Sequence, residues 1–265
     1  MQALLNVAVM AARRAGDTLI RKMRSPEKLK IEEKGFNDYV SDADRAAEQA
    51  VIATVQKHYP GHAFLAEESG VTGDSDHVWI IDPLDGTTNF LHGFPIFCVS
   101  IGVQVRGRME HACVYDPMRQ ELFTASRGEG AQVDGHRIRV SGQTNLARAL
   151  VGTGFPFRKP DQDITPYLNL LGKVIGNTSG VRRPGAAALD LCYVAAGRLD
   201  AFFESNLSPW DMAAGGLIIR EAGGIITGMD GSEDFLACGH VLCGTPKVYA
   251  DLAKLCADEI RALVL

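Results

Sequence analysis

Two aspartates, Asp82 and Asp85, stand three residues apart around a proline, directly after the apolar residues 78–81. Gly86 and two threonines follow them. Carboxylates at the end of a buried strand are costly without partners, and carboxylate oxygen is a ligand that Mg²⁺ prefers. An acidic surface turn is the alternative, because Asp, Pro and Gly all form turns. The strand before the pair and the hydroxyl groups after it favour a metal site.

The elements before this turn must bring further polar groups to it. Hydrophobic spacing and turn residues predict a helix over 3–23, a mobile loop or loose hairpin over 30–40, a helix over 41–58, and strands over 63–66 and 78–81. Ser41 followed by Asp44 resembles a capping box at the start of the second helix. The strand over 63–66 leads into Glu67 and Glu68, whose side chains point to opposite faces of an extended chain. Only one of these two glutamates therefore needs to face a site.

The elements after the turn follow the order of an α+β protein, because a run of hairpins comes after two helices. The predictions are strands over 95–105, 109–115, 121–126, 131–133 and 150–154, a helix over 165–175, a helix after 182–185, a strand over 200–204 that delivers Glu204, a helix from Asp211 that Gly223 and Gly224 end, and a helix over 248–263. Residues 70–77 are predicted to be a polar loop. The segment 182–185 (Arg-Arg-Pro-Gly) is either a plain helix start or a site for an oxygen-rich ligand.

The composition is that of a soluble globular protein, with 46% hydrophobic and 22% charged residues in 265. This length suits one large domain or two tightly packed halves. A formal charge of −5 argues against a protein that coats nucleic acid. Six cysteines without CxxC pairs predict buried, reduced thiols. With no signal peptide or membrane-length apolar run, the sequence predicts a cytoplasmic protein.

Three segments carry a resemblance to a known family. They are residues 79–90 (Trp-Ile-Ile-Asp-Pro-Leu-Asp-Gly-Thr-Thr-Asn-Phe), residues 67–69 (Glu-Glu-Ser) and residues 210–215 (Trp-Asp-Met-Ala-Ala-Gly), the last trailed by residues 221–224 (Glu-Ala-Gly-Gly). Over essentially the whole chain, the sequence resembles the inositol monophosphatase family. The resemblance implies an α+β fold of layers α-β-α-β-α, of the inositol monophosphatase and fructose-1,6-bisphosphatase type. It implies one half over 1–145 and another over 146–265, with metals between them in one catalytic unit.

The resemblance also implies which residues hold Mg²⁺. Glu67 and the carbonyl of Leu84 would bind a first ion, Asp82 would bridge two ions, and Asp85 with Asp211 would bind the second. Four converging carboxylates repel one another and raise each other's pKa, and divalent cations resolve that conflict. Metal clusters of this kind activate water and stabilise the leaving oxygen of a phosphate ester.

Further residues take catalytic and substrate roles by the same resemblance. The hydroxyl of Thr87, oriented by Asp44, would help Glu67 to position the attacking water, although Asp44 also suits a helix start through the helix dipole. The phosphate and the polyol would be held by Gly86, Thr87, Asp85, Gly185, Ala186, Ala187, Glu204 and Asp211. Ala186 departs from the family, because many members have Thr there, so one hydroxyl contact is lost. Lys34 in the segment 30–40 is a further candidate.

The function that the resemblance implies is Mg²⁺-dependent hydrolysis of inositol 1-phosphate and related small phosphate monoesters, inhibited by lithium, in a homodimer. Phosphatases of 3′-phosphoadenosine phosphate or fructose bisphosphate are alternatives that share the metal core. The chain also resembles bacterial members that act in ribosomal RNA antitermination, which implies Nus factors and RNA polymerase as partners. Composition gives no support to a mainly non-catalytic factor of that kind. Kinase glycine loops and clustered zinc-binding histidines are absent from the sequence.

Overall fold

The larger sheet contains eight strands and is flanked by the N-terminal helices. The structure, a computed structural model, describes residues 2–25, 27, 29–35, 38–156 and 163–264. A two-stranded hairpin, β1 Ile31–Gly35 with β2 Asp38–Ser41, comes first. The strands of the sheet are β3 Ala63–Ala66, β4 Gly70–Thr72, β5 His77–Asp85, β6 Cys98–Val105, β7 Arg108–Asp116, β8 Glu121–Ser126, β9 Gly130–Val133 and β10 His136–Ile138. Their order is β10-β9-β8-β7-β6-β5-β3-β4, and only β3 and β5 pair in parallel.

Helices α1 (Gln2–Met23) and α2 (Asp42–His58) cover one face of this sheet. Small and branched residues of both helices, such as Ala12, Ala47 and Val51, are buried against Trp79 and Ile101 of the sheet. These buried residues recur at helical spacing and so form one hydrophobic face on each helix. Burial of that face against the sheet stabilises the helix. The hairpin predicted over 30–40 is present between the two helices; residues 36 and 37 lie outside the described part.

The smaller sheet contains five strands in the order β12-β11-β13-β15-β14. Its strands are β11 Leu150–Thr153, β12 Gly180–Arg182, β13 Ala201–Ser205, β14 Ile225–Thr227 and β15 His240–Gly244. β11 pairs in parallel with both β12 and β13, whereas β15 is antiparallel to β13 and β14. The carboxyl ends of β11 and β13 therefore lie side by side.

Five layers result from the helices around the two sheets. α5 (Ala187–Ala195) and α6 (Pro209–Glu221) are buried between the sheets. The outer face of the smaller sheet packs against α4 (Thr165–Asn177), α8 (Pro246–Leu255) and α9 (Ala257–Val264). Two further short helices are α3 Thr87–Leu91 and α7 Phe235–Cys238. The predicted α-β-α-β-α order is confirmed, and the division near residue 145 stays a prediction.

Several predicted boundaries were wrong. The strand predicted to end at residue 81 continues to Asp85 as β5, and the loop predicted over 70–77 contains the edge strand β4. The single helix predicted over 248–263 is broken at Cys256 into α8 and α9. β10, β12, β14, β15 and α7 were not predicted. Among the described residues, no helix combines the length and the apolarity needed to cross a membrane.

Candidate active site

Asp82 and Asp85 lie in an irregular part of β5. Asp82 pairs with Ser100 and Asp85 with Cys98, so an advance of three residues along β5 matches an advance of two along β6. A bulge of this kind re-aims side chains, and it tolerates Pro83, which has no amide proton to donate. Asp82 is only 2% exposed and Asp85 only 8% exposed. The sequence was correct in placing two carboxylates here, but they lie within a strand rather than on a turn.

Asp211 joins these two aspartates from α6. It is the third residue of that helix, and its carboxylate accepts a hydrogen bond of 2.7 Å from the amide of Ser208. One carboxylate oxygen from each of Asp82, Asp85 and Asp211 lies within 4.8 Å of the other two. Glu67 lines the same cavity. The four carboxylates predicted from three separate segments are therefore brought together.

Two backbone contacts set the position of Glu67. Its amide donates to the carbonyl of Ile81 (3.1 Å), which continues the pairing of β3 with β5. The amide of Glu68 donates to the buried carboxylate of Glu48 in α2 (2.8 Å). Sequence reasoning missed Glu48. The available signal was an acidic residue at a buried position of α2, where apolar residues are the rule.

Asp85 closes the N-terminal end of α5. Its carboxylate accepts hydrogen bonds from the amides of Ala187 (3.2 Å) and Ala188 (2.7 Å) and lies 3.7 Å from the thiol of Cys98. The helix has no side-chain cap of its own, because Ala186 is the N-cap residue. An aspartate 102 residues earlier in the chain thus satisfies amides that a helix leaves unpaired. The amide of Ala187, which the resemblance assigns to the polyol, is engaged here with Asp85.

Thr87 and Asp44 are in contact, as the resemblance implied. The Thr87 hydroxyl lies 2.8 Å from Asp44 Oδ1 and 3.0 Å from the carbonyl oxygen of Leu84. Asp44 also accepts from the amide (2.8 Å) and the hydroxyl (2.7 Å) of Ser41, so the capping box is present. Both readings of Asp44 hold, since it caps α2 and contacts the threonine. With one hydroxyl proton and two acceptors, Thr87 keeps a lone pair for a further donor.

Burial and mutual repulsion shift the pKa values of these carboxyl groups upward. Burial, followed by the charges of Glu67, Asp85 and Asp211, raises the pKa of Asp82 well above its ordinary value. Burial and the charge of Asp211 raise the pKa of Asp85 to about 7, against the effect of its amide donors. Burial also raises the pKa of Asp44, although its hydrogen bonds oppose the shift. A cation among these groups would relieve the repulsion.

Gly86 and Gly185 bring two backbone segments close together beside the carboxylates. Gly86 has a φ of 94° and Gly185 a φ of 91°, both in the region that favours glycine. A side chain at Gly86 would meet the carbonyl oxygens of Ile96 (3.0 Å) and Gly185 (3.3 Å). The side-chain amide of Asn89 donates to the carbonyls of Ile96 (2.8 Å) and of the residue before Gly185 (2.9 Å). This clasp, which sequence reasoning missed, holds the start of α5 against α3.

The cavity contains most of the predicted site residues. Those lining it are Glu67, Asp82, Leu84, Asp85, Gly86, Thr87, Gly185, Ala187, Glu204 and Asp211. Asp44 lies behind Thr87, and Ala186 is buried at the start of α5. The side chain of Lys34 lies outside the described part of the structure. Arg183, from the segment 182–185 that the sequence indicated as a candidate ligand site, also lines the cavity. Lining residues that the sequence did not indicate are Tyr39, Phe155, Pro156, Ser205, Asn206 and Leu207.

Comparisons with known proteins place the chain in a family. The model of the inositol monophosphatase family matches residues 1–261. A Pseudomonas aeruginosa protein described as Nus factor SuhB is 52% identical over 95% of both chains. The crystal structure of the extragenic suppressor protein SuhB from Bartonella henselae is 44% identical, covers 96% of this chain and 98% of its own, and superposes with a TM-score of 0.92. An inositol monophosphatase from Anabaena is 36% identical over 97% of this chain and 96% of its own, with a TM-score of 0.84.

Proposed function

Because the chain belongs to the inositol monophosphatase family, we propose that it is a Mg²⁺-dependent phosphatase that hydrolyses inositol 1-phosphate and related small phosphate monoesters. The observation that carries the proposal is the convergence of Asp82, Asp85 and Asp211 within 4.8 Å. These carboxylates line one cavity with Glu67 and Thr87. Carboxylate-bound cations are a common means of hydrolysing phosphate esters.

The donor set fits Mg²⁺. All candidate ligands are oxygen atoms, from Glu67, Asp82, Asp85, Asp211 and the carbonyl of Leu84, and oxygen ligands suit Mg²⁺ rather than zinc. The raised pKa values of Asp82 and Asp85 indicate that these groups are destabilised as free anions. Bound Mg²⁺ would neutralise this charge and polarise both the phosphate and the water.

The chain's own residues would direct the water toward phosphorus. Thr87 donates its proton to Asp44, so the lone pair of its oxygen can accept a hydrogen bond from a water molecule. The oxygen of this water would form a bond to phosphorus, and the carboxylate of Glu67 would accept a proton from the water at the same time. The ester bond to the alcohol would then break, the alcohol oxygen would take up a proton from solvent water, and Glu67 would return its proton to solvent. Asp44, held by Ser41, keeps the threonine in this orientation.

The alcohol would lie toward the smaller sheet. Glu204 at the end of β13 and Asp85 beside the start of α5 are carboxylates of the cavity lining that can accept hydrogen bonds from polyol hydroxyls. The amides of Gly86 and Thr87 are proposed to face the phosphate, and Gly185 with Ala187 to border the polyol. Ala186 offers no hydroxyl, so recognition would depend more heavily on Glu204.

Phosphate release from a panel of esters tests this proposal. Purified protein would be assayed with inositol 1-phosphate, glycerol 2-phosphate, 3′-phosphoadenosine phosphate and fructose 1,6-bisphosphate, with Mg²⁺ and with excess chelator. We expect Mg²⁺-dependent turnover that favours inositol 1-phosphate and is inhibited by millimolar lithium. Equal rates of hydrolysis with Mg²⁺ and with excess chelator would rule out a mechanism that requires the metal. Preference for another ester would select one of the two alternatives instead.

A second function, in transcription antitermination, is favoured by the name of the Pseudomonas relative. We propose binding to Nus factors or RNA polymerase through the outer surface, because a protein partner needs about 800 Å² on each side. The catalytic carboxylates converge inside a cavity and cannot supply such an area. A pull-down of Nus factors with Asp211→Asn protein tests this separation. Loss of partner binding in the folded variant would mean that both roles share one site.

We also propose a homodimer in the cytoplasm. Leu168 and Ile175, on the exposed side of α4, are 51% and 59% exposed, and Phe94 is 50% exposed, so apolar surface is available for a second copy. The six cysteines are free thiols, five of them buried, as suits a reducing compartment. Sedimentation equilibrium tests the dimer, and a monomer at micromolar concentration would contradict it.

A further inference from the structure

The carboxylate of Glu204 lies directly over the backbone of Gly154. A Cβ atom built on Gly154 would overlap the carboxyl group of Glu204. The two residues lie at the neighbouring ends of β11 and β13, where Thr153 pairs with Phe203. Gly154 does not have a positive φ. Its lack of a side chain is therefore needed for space, and any larger residue would force Glu204 to move.

Two buried hydroxyl groups hold the backbone on either side of this contact. The hydroxyl of Tyr167, on α4, donates to the carbonyl of Gly154 at 2.5 Å and lies 2.7 Å from the hydroxyl of Thr153. Thr153 in turn donates to the carbonyl of Phe203 at 2.9 Å. That carbonyl belongs to the peptide bond that joins Phe203 to Glu204. Burial raises the pKa of Tyr167 to about 12, so its hydroxyl remains a donor at neutral pH.

The same tyrosine supports the neighbouring wall of the cavity. The ring of Phe155 meets the ring of Tyr167 edge to face, with centroids 5.9 Å apart. The guanidinium of Arg183 lies 5.3 Å from the centre of the Phe155 ring. Phe155, Arg183 and Glu204 all line the cavity on this side. One buried side chain thus contacts both the backbone beside Glu204 and the aromatic wall next to it.

We propose that Gly154 and Tyr167 are positioning residues that fix the Glu204 carboxylate for the hydroxyl groups of a ring polyol, and so set the preference for polyol phosphates over smaller esters. The inference rests on the proposed function, since Glu204 must face the alcohol. A carboxylate held in one place loses little freedom when it accepts a hydroxyl hydrogen bond. The absence of a hydroxyl at Ala186 makes recognition depend more on this carboxylate.

The test compares two substrates across matched glycine variants. Gly154→Ala displaces Glu204, whereas Gly172→Ala, on α4, has open space for its methyl group and serves as the control. We expect Gly154→Ala to lower the ratio of kcat/KM for inositol 1-phosphate to that for glycerol 2-phosphate by at least tenfold, mainly through KM. Gly172→Ala should leave the ratio unchanged. Tyr167→Phe, which keeps the ring and removes the hydroxyl, should lower the ratio by about threefold to tenfold.

A double-substitution experiment separates positioning from general damage. In a Glu204→Ala background, Gly154→Ala and Tyr167→Phe should no longer change the substrate ratio, because there is no carboxylate to displace. An undiminished effect in that background would overturn the proposal, as would an equal loss for both esters. If Gly154→Ala does not fold, the Tyr167→Phe cycle decides alone.

A crystal structure of Gly154→Ala gives a readout that does not depend on activity. We expect the Glu204 carboxylate to move away from its wild-type position, and an unmoved carboxylate would refute the inference. If the wild-type protein hydrolyses neither ester, the proposed function fails by itself. The crystal structure would still decide whether Gly154 positions Glu204.

Discussion

Removing metal should make the stability of this protein fall as the pH rises from 5 to 7. In the metal-free fold, burial and the charge of Asp211 raise the pKa of Asp85 to about 7, against about 3.9 in an unfolded chain. Between these values the folded chain keeps a proton that the unfolded chain has lost, so a rise in pH favours unfolding. This stabilising proton is fully effective below about pH 4 and is lost near pH 7.

The size of the effect follows from the width of the pH window. Each pH unit within the window changes the free energy of unfolding by at most about 1.4 kcal/mol. The slope is smaller close to pH 7, where the folded chain also begins to lose the proton, so from pH 5 to 7 the metal-free protein should lose about 2 kcal/mol through Asp85. The raised pKa of Asp82 acts in the same direction. Partial burial lowers the pKa of His62 and burial lowers that of His111, and both shifts act in the opposite direction.

A matched variant isolates the contribution of Asp85. Asp85→Asn removes the titration and keeps an oxygen that can accept from the amide of Ala188. Urea unfolding of metal-stripped protein at pH 5, 6 and 7 should show a steeper decline for wild type than for Asp85→Asn. Saturating Mg²⁺ should abolish the wild-type decline, because the cation favours the ionised carboxylate. Parallel pH profiles for metal-free wild type and metal-free Asp85→Asn would refute the reasoning. Asp251→Asn, in α8 and away from the site, serves as control and should decline as the wild type does.

Three further predictions concern the same site. Asp211→Asn should fold normally, since its amide oxygen can still accept from the Ser208 amide, yet lose at least roughly 100-fold in kcat/KM; near-wild-type turnover at low Mg²⁺ would remove Asp211 from the site. Thr87→Val should lower kcat by roughly 100-fold with little change in KM, and Thr87→Ser should restore most of it; a change in KM alone would contradict the role given to the hydroxyl. Amide hydrogen exchange in residues 30–40 should slow when Mg²⁺ and inositol 1-phosphate bind, whereas exchange already slow without ligand would argue against closure of this hairpin.

The sequence predicted best those features that depend on local spacing. The order of α1, α2, β3 and the first part of β5 followed from hydrophobic periodicity and turn residues. The layered fold and the site residues came from the resemblance rather than from periodicity. The convergence of Asp82, Asp85 and Asp211 was expected on that basis and is present.

The missed features depend on contacts between distant segments. β4 and β12 have three residues each, too few for a period to be visible, and both lie at sheet edges. The break between α8 and α9 occurs at Cys256, without glycine or proline, where that residue is buried against the smaller sheet. The clasp of Asn89 has no local signal, because one of its partners lies 95 residues later in the chain.

The contact of Asp85 with α5 bears on the order in which the chain folds. The first turn of this helix depends on a carboxylate that lies more than 100 residues earlier, on a strand of the larger sheet. Contacts of such long range form late, because the intervening chain must first be closed into a loop. An isolated fragment 146–265 would lack the cap, which is typically worth about 1 kcal/mol, and its α5 should begin to fray. During synthesis Asp85 leaves the ribosome before α5 does. The carboxylate that caps α5 is therefore already present when this helix emerges.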